Sequence, residues 1–454
     1  MNRLIVVPLI VFHLCVLQST VVADDNWPQF RGTRAAGIGT GNPPIKWDVE
    51  AGTNIAWKTP LPGLGHSSPI VWGNFVFLTT AVNSETETPS LETGWLGGSG
   101  KSAPDQGDWT WLVICLELSS GKLLWTKDAL AGQPQVKRHL KASHANCTPA
   151  TDGRHVVAFF GSEGLHCFDV TGKFLWRKDL GRLHSGPYDE KLLEWGFASS
   201  PIIHDGKVIV QCDCLNTAFV SIIDIATGEE ISRIDREGEV ATWSTPQVIT
   251  TNAGEQLVCN GYRKIAGYNL LNGKLLWHLH GGGDVPVPTP LFDGGLIYIT
   301  NGHGNSPIYV VEPSATGDLT PKSNKPASGL KWFRQTDGAY MPTPLVKDGL
   351  LYVGNDNGRL TVCDAQTGEV MYRQRVGSGS RVYSASAVAA GGHLYYCSER
   401  GEVTVVKEGR TFQAAAQNEM REVIMASPAL SGDRLVIRTI SQVICIRPDG
   451  PAAP

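Results

Sequence analysis

CLELSSGKLLW, residues 115–125, returns as GYNLLNGKLLW at 267–277, as VCDAQTGEVMY at 362–372 and, one residue shorter, as CFDVTGKFLW at 167–176. Each copy reads as a strand ending on an acidic or amide residue, a turn closed by glycine, and a second strand carrying Trp or Tyr. Glycine supplies the positive φ that such a turn requires. Upstream of each frame lies a Ser/Thr-Pro step, a tight turn such as Asp205-Gly206 or Asp348-Gly349, and an apolar run such as LLYVG at 350–354. The step occurs at Ser68, Thr148, Ser200, Thr245, Thr289, Thr343 and Ser427, with Ser386-Ala387 as a degenerate copy, so the units number eight.

A repeat of roughly 40 to 50 residues built only of short strands predicts a β-propeller. The expected fold is all-β: an eight-bladed β-propeller of four-stranded antiparallel blades. The last unit stops at its third strand, VICIRPDG at 443–450, whereas NIAWKTPL at 54–61 reads as an orphan fourth strand. Pairing the two predicts a ring closed by an N-terminal strand, which removes a long unpaired edge. The polar stretch 83–108 has no apolar alternation and reads as an insertion in the first unit.

The 454 residues include 51 Gly and 27 Pro, and the formal net charge is -4. That balance, with no basic run, argues against nucleic acid as a partner. Residues 1–23 read as a signal peptide: Arg3, an apolar run at 4–17 too short to span a bilayer, and Val21-Val22-Ala23 before Asp24. Leu14 before Cys15 does not fit a lipid-attachment site, so the expectation is a soluble, exported protein of the periplasm or cell envelope, with residues 24–454 forming one propeller domain and no transmembrane span. The cysteines left after cleavage sit at repeat-equivalent positions and read as packed free thiols. Cys212 and Cys214, on one strand face, keep the alternatives of a disulfide or metal ligands.

The frame small-x-acid-x-x-x-Gly-Lys-x-x-Trp, together with WPQFRG at 27–32 and WKTPLPGLGHSSP at 57–69, resembles the PQQ-like propeller family typified by BamB proteins of outer-membrane assembly. The resemblance covers residues 27–450. It implies that Trp125, Trp176 and Trp277 dock between neighbouring blades, with Ser232, Tyr372 and Phe412 in the equivalent places of the third, sixth and seventh units, where the junctions are expected to be weaker. It also implies the enzymatic alternative, a PQQ-dependent oxidoreductase with calcium in the central channel. The chain carries neither a Cys-Cys step nor a C-x-x-C-H haem site, so no cofactor, catalytic residue or metal is expected. A non-catalytic binding or scaffold role, with an envelope protein or a small ligand as partner, is the expectation.

Residues three to five places before each Pro step enter the innermost strand and are expected at one channel mouth. The large ones are His66, His144, Trp243, Tyr340 and Tyr383. The alternative for them is simple filling of the channel. The insertion, with Trp95 and Trp109, and the segment 181–196 are further candidates for recognition. His139, His278 and His280 lack metal-ligand spacing, NDNG at 355–358 occupies a hairpin-turn slot, and Ser67 beside His66 belongs to the repeat rather than to a nucleophile.

Overall fold

In the computed structural model the described residues are 25–448, apart from 96, 323–324 and 380–381, and the expected signal peptide lies outside them. Eight antiparallel sheets follow one another around a ring. Blade 1 comprises Ile70–Trp72, Phe75–Asn83, Trp109–Glu117 and Leu123–Gly132, which we term strands A to D from the axis outward. Strand A opens blade 2 at Ala150–Thr151, blade 3 at Ile202–His204, blade 4 at Gln247–Thr251, blade 5 at Leu291–Asp293, blade 6 at Leu345–Lys347 and blade 7 at Val388–Ala390. Blade 8 takes Ala429–Ser431, Arg434–Arg438 and Gln442–Ile446 from the end of the chain and Ile55–Pro60 from its start, so the N-terminal strand closes the ring. Blade 4 carries an added short strand, Gly317–Asp318, parallel to its strand D.

The repeated frame is explained by what each of its residues does. Its acid closes the turn: Asp169 Oδ1 accepts from the amides of Thr171 and Lys173 at 2.9 and 3.0 Å, and Asp224 Oδ1 accepts from Ala226 and Thr227 at 2.9 Å. A one-residue bulge in strand D then follows, as between Cys167↔Trp176 and Phe168↔Phe174, and it redirects the indole. Trp176 Nε1 donates to Ile225 O of the next blade at 2.8 Å, and Trp125 Nε1 to Val170 O at 3.1 Å. The ring lies on the next blade's turn glycine. A Cβ on Gly228 would fall 2.6 Å from Trp176, so this glycine is needed both for its φ of 74° and for the space.

Two further docking rings come from outside the quoted frames. Trp57, on the closing strand, donates to Leu118 O at 2.8 Å, and Trp332 of blade 5 to Ala365 O at 3.0 Å. Trp277 is fully buried, but its Nε1 meets Gln256 Oε1 at 3.2 Å, and Gln256 Nε2 carries the link to Pro313 O at 2.6 Å. Ser232 and Tyr372 do occupy the Trp register, opposite Ile222 and Val362. Phe412 does not. The residue opposite Val405 in blade 7 is Ala416, and Phe412 precedes strand D and packs edge-on to Tyr372 with centroids 6.1 Å apart. Trp47 of the N-terminal segment belongs to the apolar cluster on which Ala416 packs, and its backbone amide donates to Asn418 Oδ1 at 3.0 Å.

The Ser/Thr of each Pro step forms a belt around the axis. The backbone N–H of Ser68 donates to Thr148 Oγ1 at 3.0 Å, Thr148 to Ser200, Ser200 to Thr245, Thr289 to Thr343, Thr343 to Ser386, Ser386 to Ser427, and Ser427 back to Ser68 Oγ at 3.1 Å. The link from Thr245 to Thr289 is missing, and Thr289 Oγ1 is buried without a partner. The belt explains the degenerate copy: Ser386 has lost its proline but keeps the hydroxyl the ring uses.

Below the belt, the N-terminal WPQFRG segment crosses the axis. Trp27 pairs with Val71 of blade 1, Pro28 O accepts from Thr151 of blade 2, and Gln29 Oε1 meets the Ile203 amide of blade 3. The 3-10 turn Thr33–Ala35 lies against blades 4 and 5. Arg31, fully buried, donates to Pro344 O of blade 6 at 2.7 Å and Ala387 O at the start of blade 7 at 2.8 Å. Gly39 packs on Leu430 of blade 8. The nine cysteines of the described residues are buried and unbonded, and Cys212 and Cys214 share one apolar cluster. Among the described residues no helix is long and apolar enough to cross a membrane.

Truncating Trp277 to Ala is expected to cost about 3–5 kcal/mol of stability, measured by chemical denaturation; an unchanged midpoint would refute its docking role. The belt gives a paired expectation. Thr343→Val orphans the Thr289 amide and should cost about 1–3 kcal/mol, whereas Thr289→Val removes an unpartnered hydroxyl and should be near neutral or stabilising. Equal costs for the two variants would show that the belt bonds contribute nothing specific.

Candidate functional site

Above the belt the channel opens into a cavity of about 720 Å³. Its wall is set by one register position, the residue three places before each Pro step: His66, Asn146, Ala198, Trp243, Val287, Met341, Ser384 and Met425 all line it. Tyr340, one place earlier, also reaches the cavity. His144 and Tyr383 do not. Five and four places before the step, they turn into the blades: His144 lies edge-on to Trp109 at 4.7 Å and Tyr383 Oη donates to Val376 O at 3.1 Å. The floor is Phe30 of the crossing segment.

Residues 84–108 leave the tip of the long B–C hairpin of blade 1 and arch over the mouth. Their return limb is held by Arg138, which grips Asp105 with two bonds of 2.7 and 2.8 Å and reaches Ser90 O at 2.8 Å. His144 Nε2 adds a contact to Asp105 Oδ2 at 3.1 Å, which places this histidine behind the roof as an anchor. The far tip is latched to blade 7. Gly94 N donates to Glu399 Oε2 at 2.6 Å, Ser384 Oγ to Glu399 Oε1 at 2.5 Å, and Lys141 Nζ pairs with the same oxygen at 2.6 Å while reaching Gly94 O at 3.2 Å. Trp195, from segment 181–196, donates to Gly100 O at 2.6 Å and stacks at an angle on Trp243, centroids 5.8 Å apart. Trp95 is 62% exposed at the entrance. Loops 302–306 and 355–359 wall the other side.

The chamber is short of free charge. Burial pushes the His66 imidazole down to about 3, helped by Arg438 and Arg138, and His139 down to about 4, so both rings are neutral at neutral pH. Burial raises Tyr340 to about 12 and lifts Asp356 above the ordinary carboxylate range. Lys141 is neutralised by Glu399, whereas Arg359 lies 3.9 Å from an Asp337 that Arg334 and Arg373 hold at 2.7 Å. Aromatic walls, neutral histidines and a hydroxyl belt suit a ligand that presents apolar faces and hydrogen-bonding edges.

A family model described as outer membrane protein assembly factor BamB matches residues 111–374. The chain belongs to that BamB family. Among curated relatives, the outer membrane protein assembly factor BamB of Moranella endobia (strain PCIT) is 21% identical over 345 residues, covering 72% of this chain and 78% of the relative. Among solved structures, BamB from Moraxella catarrhalis superposes with a TM-score of 0.52 at 12% identity, over 83% of this chain and 98% of that one. A europium-containing methanol dehydrogenase superposes with 0.62 at 13% identity, covering 92% and 90%. The quinohemoprotein alcohol dehydrogenase from Comamonas testosteroni gives 0.62 at 11% identity, covering 96% and 82%. At such identities the structural likenesses speak for the fold alone.

In this BamB-family chain, residue reasoning missed Trp195, Lys141, Glu399 and Asp356 as parts of one chamber. The NDNG loop, a turn slot in sequence, supplies Asn355, Asp356 and Asn357 to its wall. The scattered histidines divide: His66 and His139 line the cavity, while His278 stands on strand D of blade 4, 4.0 Å from Asp318, and His280 follows just past its end. Ser67 is tied to Thr79 O and Arg438, away from any base.

Changing Glu399 to Gln is expected to unlatch the roof tip. Amide exchange across residues 92–100 should speed by at least about tenfold, with blade-core protection unchanged; identical exchange in variant and parent would show that Glu399 holds nothing.

Proposed function

We propose that this protein is an exported, non-catalytic binding propeller of the cell envelope, which receives a small molecule or the projecting end of a partner in its roofed channel mouth. The observation that carries this reading is the blind chamber itself: about 720 Å³ under a latched insertion, with Trp95, Trp195, Trp243 and Tyr340 as walls. Aromatic anchors in a partly enclosed pocket concentrate binding free energy in few residues. Membership of the BamB family supports an envelope role, and the name of the curated relative places that protein in outer-membrane assembly.

The quinoprotein alternative meets a chemical difficulty at this site. PQQ is a flat tricarboxylate, and among the described residues the wall cation Lys141 is already paired with Glu399, which leaves Arg359, 3.9 Å from an Asp337 held at 2.7 Å by Arg334 and Arg373, to face three carboxylates. The donor set does not fit that group, and no catalytic step is derived through it.

The test is purification of the tagged, processed chain from envelope extracts, followed by native mass spectrometry, alongside titration with PQQ and calcium. A bound species present in the parent and depleted about tenfold or more by Trp243→Ala is expected, because a central aromatic anchor contributes about 2 kcal/mol or more. A species retained by Trp243→Ala would move binding away from the chamber. Saturable PQQ binding with alcohol oxidation, lost in the same variant, would replace the binding reading with an enzymatic one.

A further inference from the structure

On the opposite side of the belt from the chamber, strand A of blade 3 ends at His204, and Asp205 begins the turn that follows it. Glu255 stands on strand B of blade 4, Gly254–Cys259. The three side chains converge across the junction of the two blades: His204 Nε2 lies 2.7 Å from Glu255 Oε1 and 3.6 Å from Asp205 Oδ2, and one ligand atom from each falls within 4.8 Å of the others. Among the described residues no lysine or arginine pairs with either carboxylate, so His204 is the lone counter-group to two negative charges. The nearest ammonium, Lys207 Nζ, reaches the Asp205 carbonyl at 3.4 Å and not its carboxylate. Two carboxylates held this close favour a cation between them.

We infer that His204, Asp205 and Glu255 form a divalent transition-metal site, of the zinc type, that cross-links blades 3 and 4. One imidazole nitrogen, a borderline donor, with two harder carboxylate oxygens is a set that zinc accepts, and metal bonds of about 2.0–2.2 Å put tetrahedral ligands roughly 3.3 Å apart. The His204–Glu255 and His204–Asp205 separations of 2.7 and 3.6 Å lie on either side of that value and all three ligand atoms fall within 4.8 Å, so side-chain adjustment of the three residues would close them on one ion. The remaining coordination position or positions face solvent, because Asp205 is exposed.

The location gives the site a purpose. This is the junction where Ser232 occupies the docking register, and the turn glycine of the next blade, Gly273, meets Ile234 instead of an indole. A metal bridging the same two blades supplies the cross-connection that the aromatic ring supplies elsewhere. The site is separate from the chamber, and its existence does not depend on what the chamber binds.

The experiment is calorimetric titration of chelator-stripped, full-length processed protein with zinc chloride, repeated with His204→Ala and Glu255→Gln, the latter nearly isosteric and chosen to keep the fold. One saturable equivalent is expected for the parent, with affinity reduced at least about tenfold in each variant. Zinc should raise the parent's melting temperature and leave that of His204→Ala unmoved. Cobalt should give visible absorption bands of a four- or five-coordinate ion in the parent that disappear in both variants. Absence of saturable zinc binding, or equal stoichiometry and affinity in parent and variants, would overturn the assignment and leave His204 a hydrogen-bonded bridge.

Discussion

The hydroxyl belt sets the geometry from which the rest of the molecule follows. Eight inner strands can share one axis only if each begins at the same height and angle, and a side-chain hydroxyl accepting from the preceding unit's amide fixes both at seven of the eight junctions. The amides so used are buried and would otherwise be unsatisfied at the narrowest point of the ring. Proline beside the hydroxyl holds the backbone extended and gives up a donor that the site does not need. The belt also divides the channel into a chamber above and a crossing segment below, so the binding site inherits its floor, its radius and its register from one repeated bond.

Outward from the belt, blades are held by indoles lying on glycines. The same local demand, an indole that must cover a turn and reach a carbonyl, is met in several ways. Gln256 relays the bond of Trp277, Trp47 reaches in from the other end of the chain to bond Asn418 beside strand D of blade 7, and Tyr372 with Phe412 share one junction. Between blades 3 and 4 an apolar core that includes Ile222, Ile234, Leu257 and Tyr268 is joined by a buried polar network: Arg236 lies 2.8 Å from Asp213 and donates to Tyr268 Oη at 3.0 Å. Such a network holds two blades in register while leaving their outer edges without a ring.

Most of the ring was legible because its signals are local. A hydroxyl before proline, an acid four residues before glycine and an indole after it each perform their task within one unit, so a single copy states the rule and the others repeat it. Closure by residues 54–61 was legible as an inventory of strands. Trp332 was not, because residues 313–329 intervene between its strand and the preceding one and break the frame. Phe412 was expected in the docking place that Ala416 holds, because the indole that packs into this cluster, Trp47, is far away in sequence. In the chamber, the position three before proline could be counted, and so His66 and Trp243 were found. His144 and Tyr383 turn into the blades although Tyr340, four places before its step as Tyr383 is, reaches the cavity, so only the third position is fixed by the count. The latch of Gly94, Lys141 and Glu399 joins three segments that share no pattern, and only the assembled ring brings them together.

The crossing segment also orders events in time. Residues 27–39 touch all eight blades, yet they leave the ribosome before any blade exists. They can complete these contacts only once blade 8, the last to be made, is present to receive Gly39. Contacts between such distant stretches carry a large loop-closure cost and form late. The start of the chain is therefore a seal set on a finished ring, and an incomplete ring would remain an open tube, recognisable by its unsealed axis.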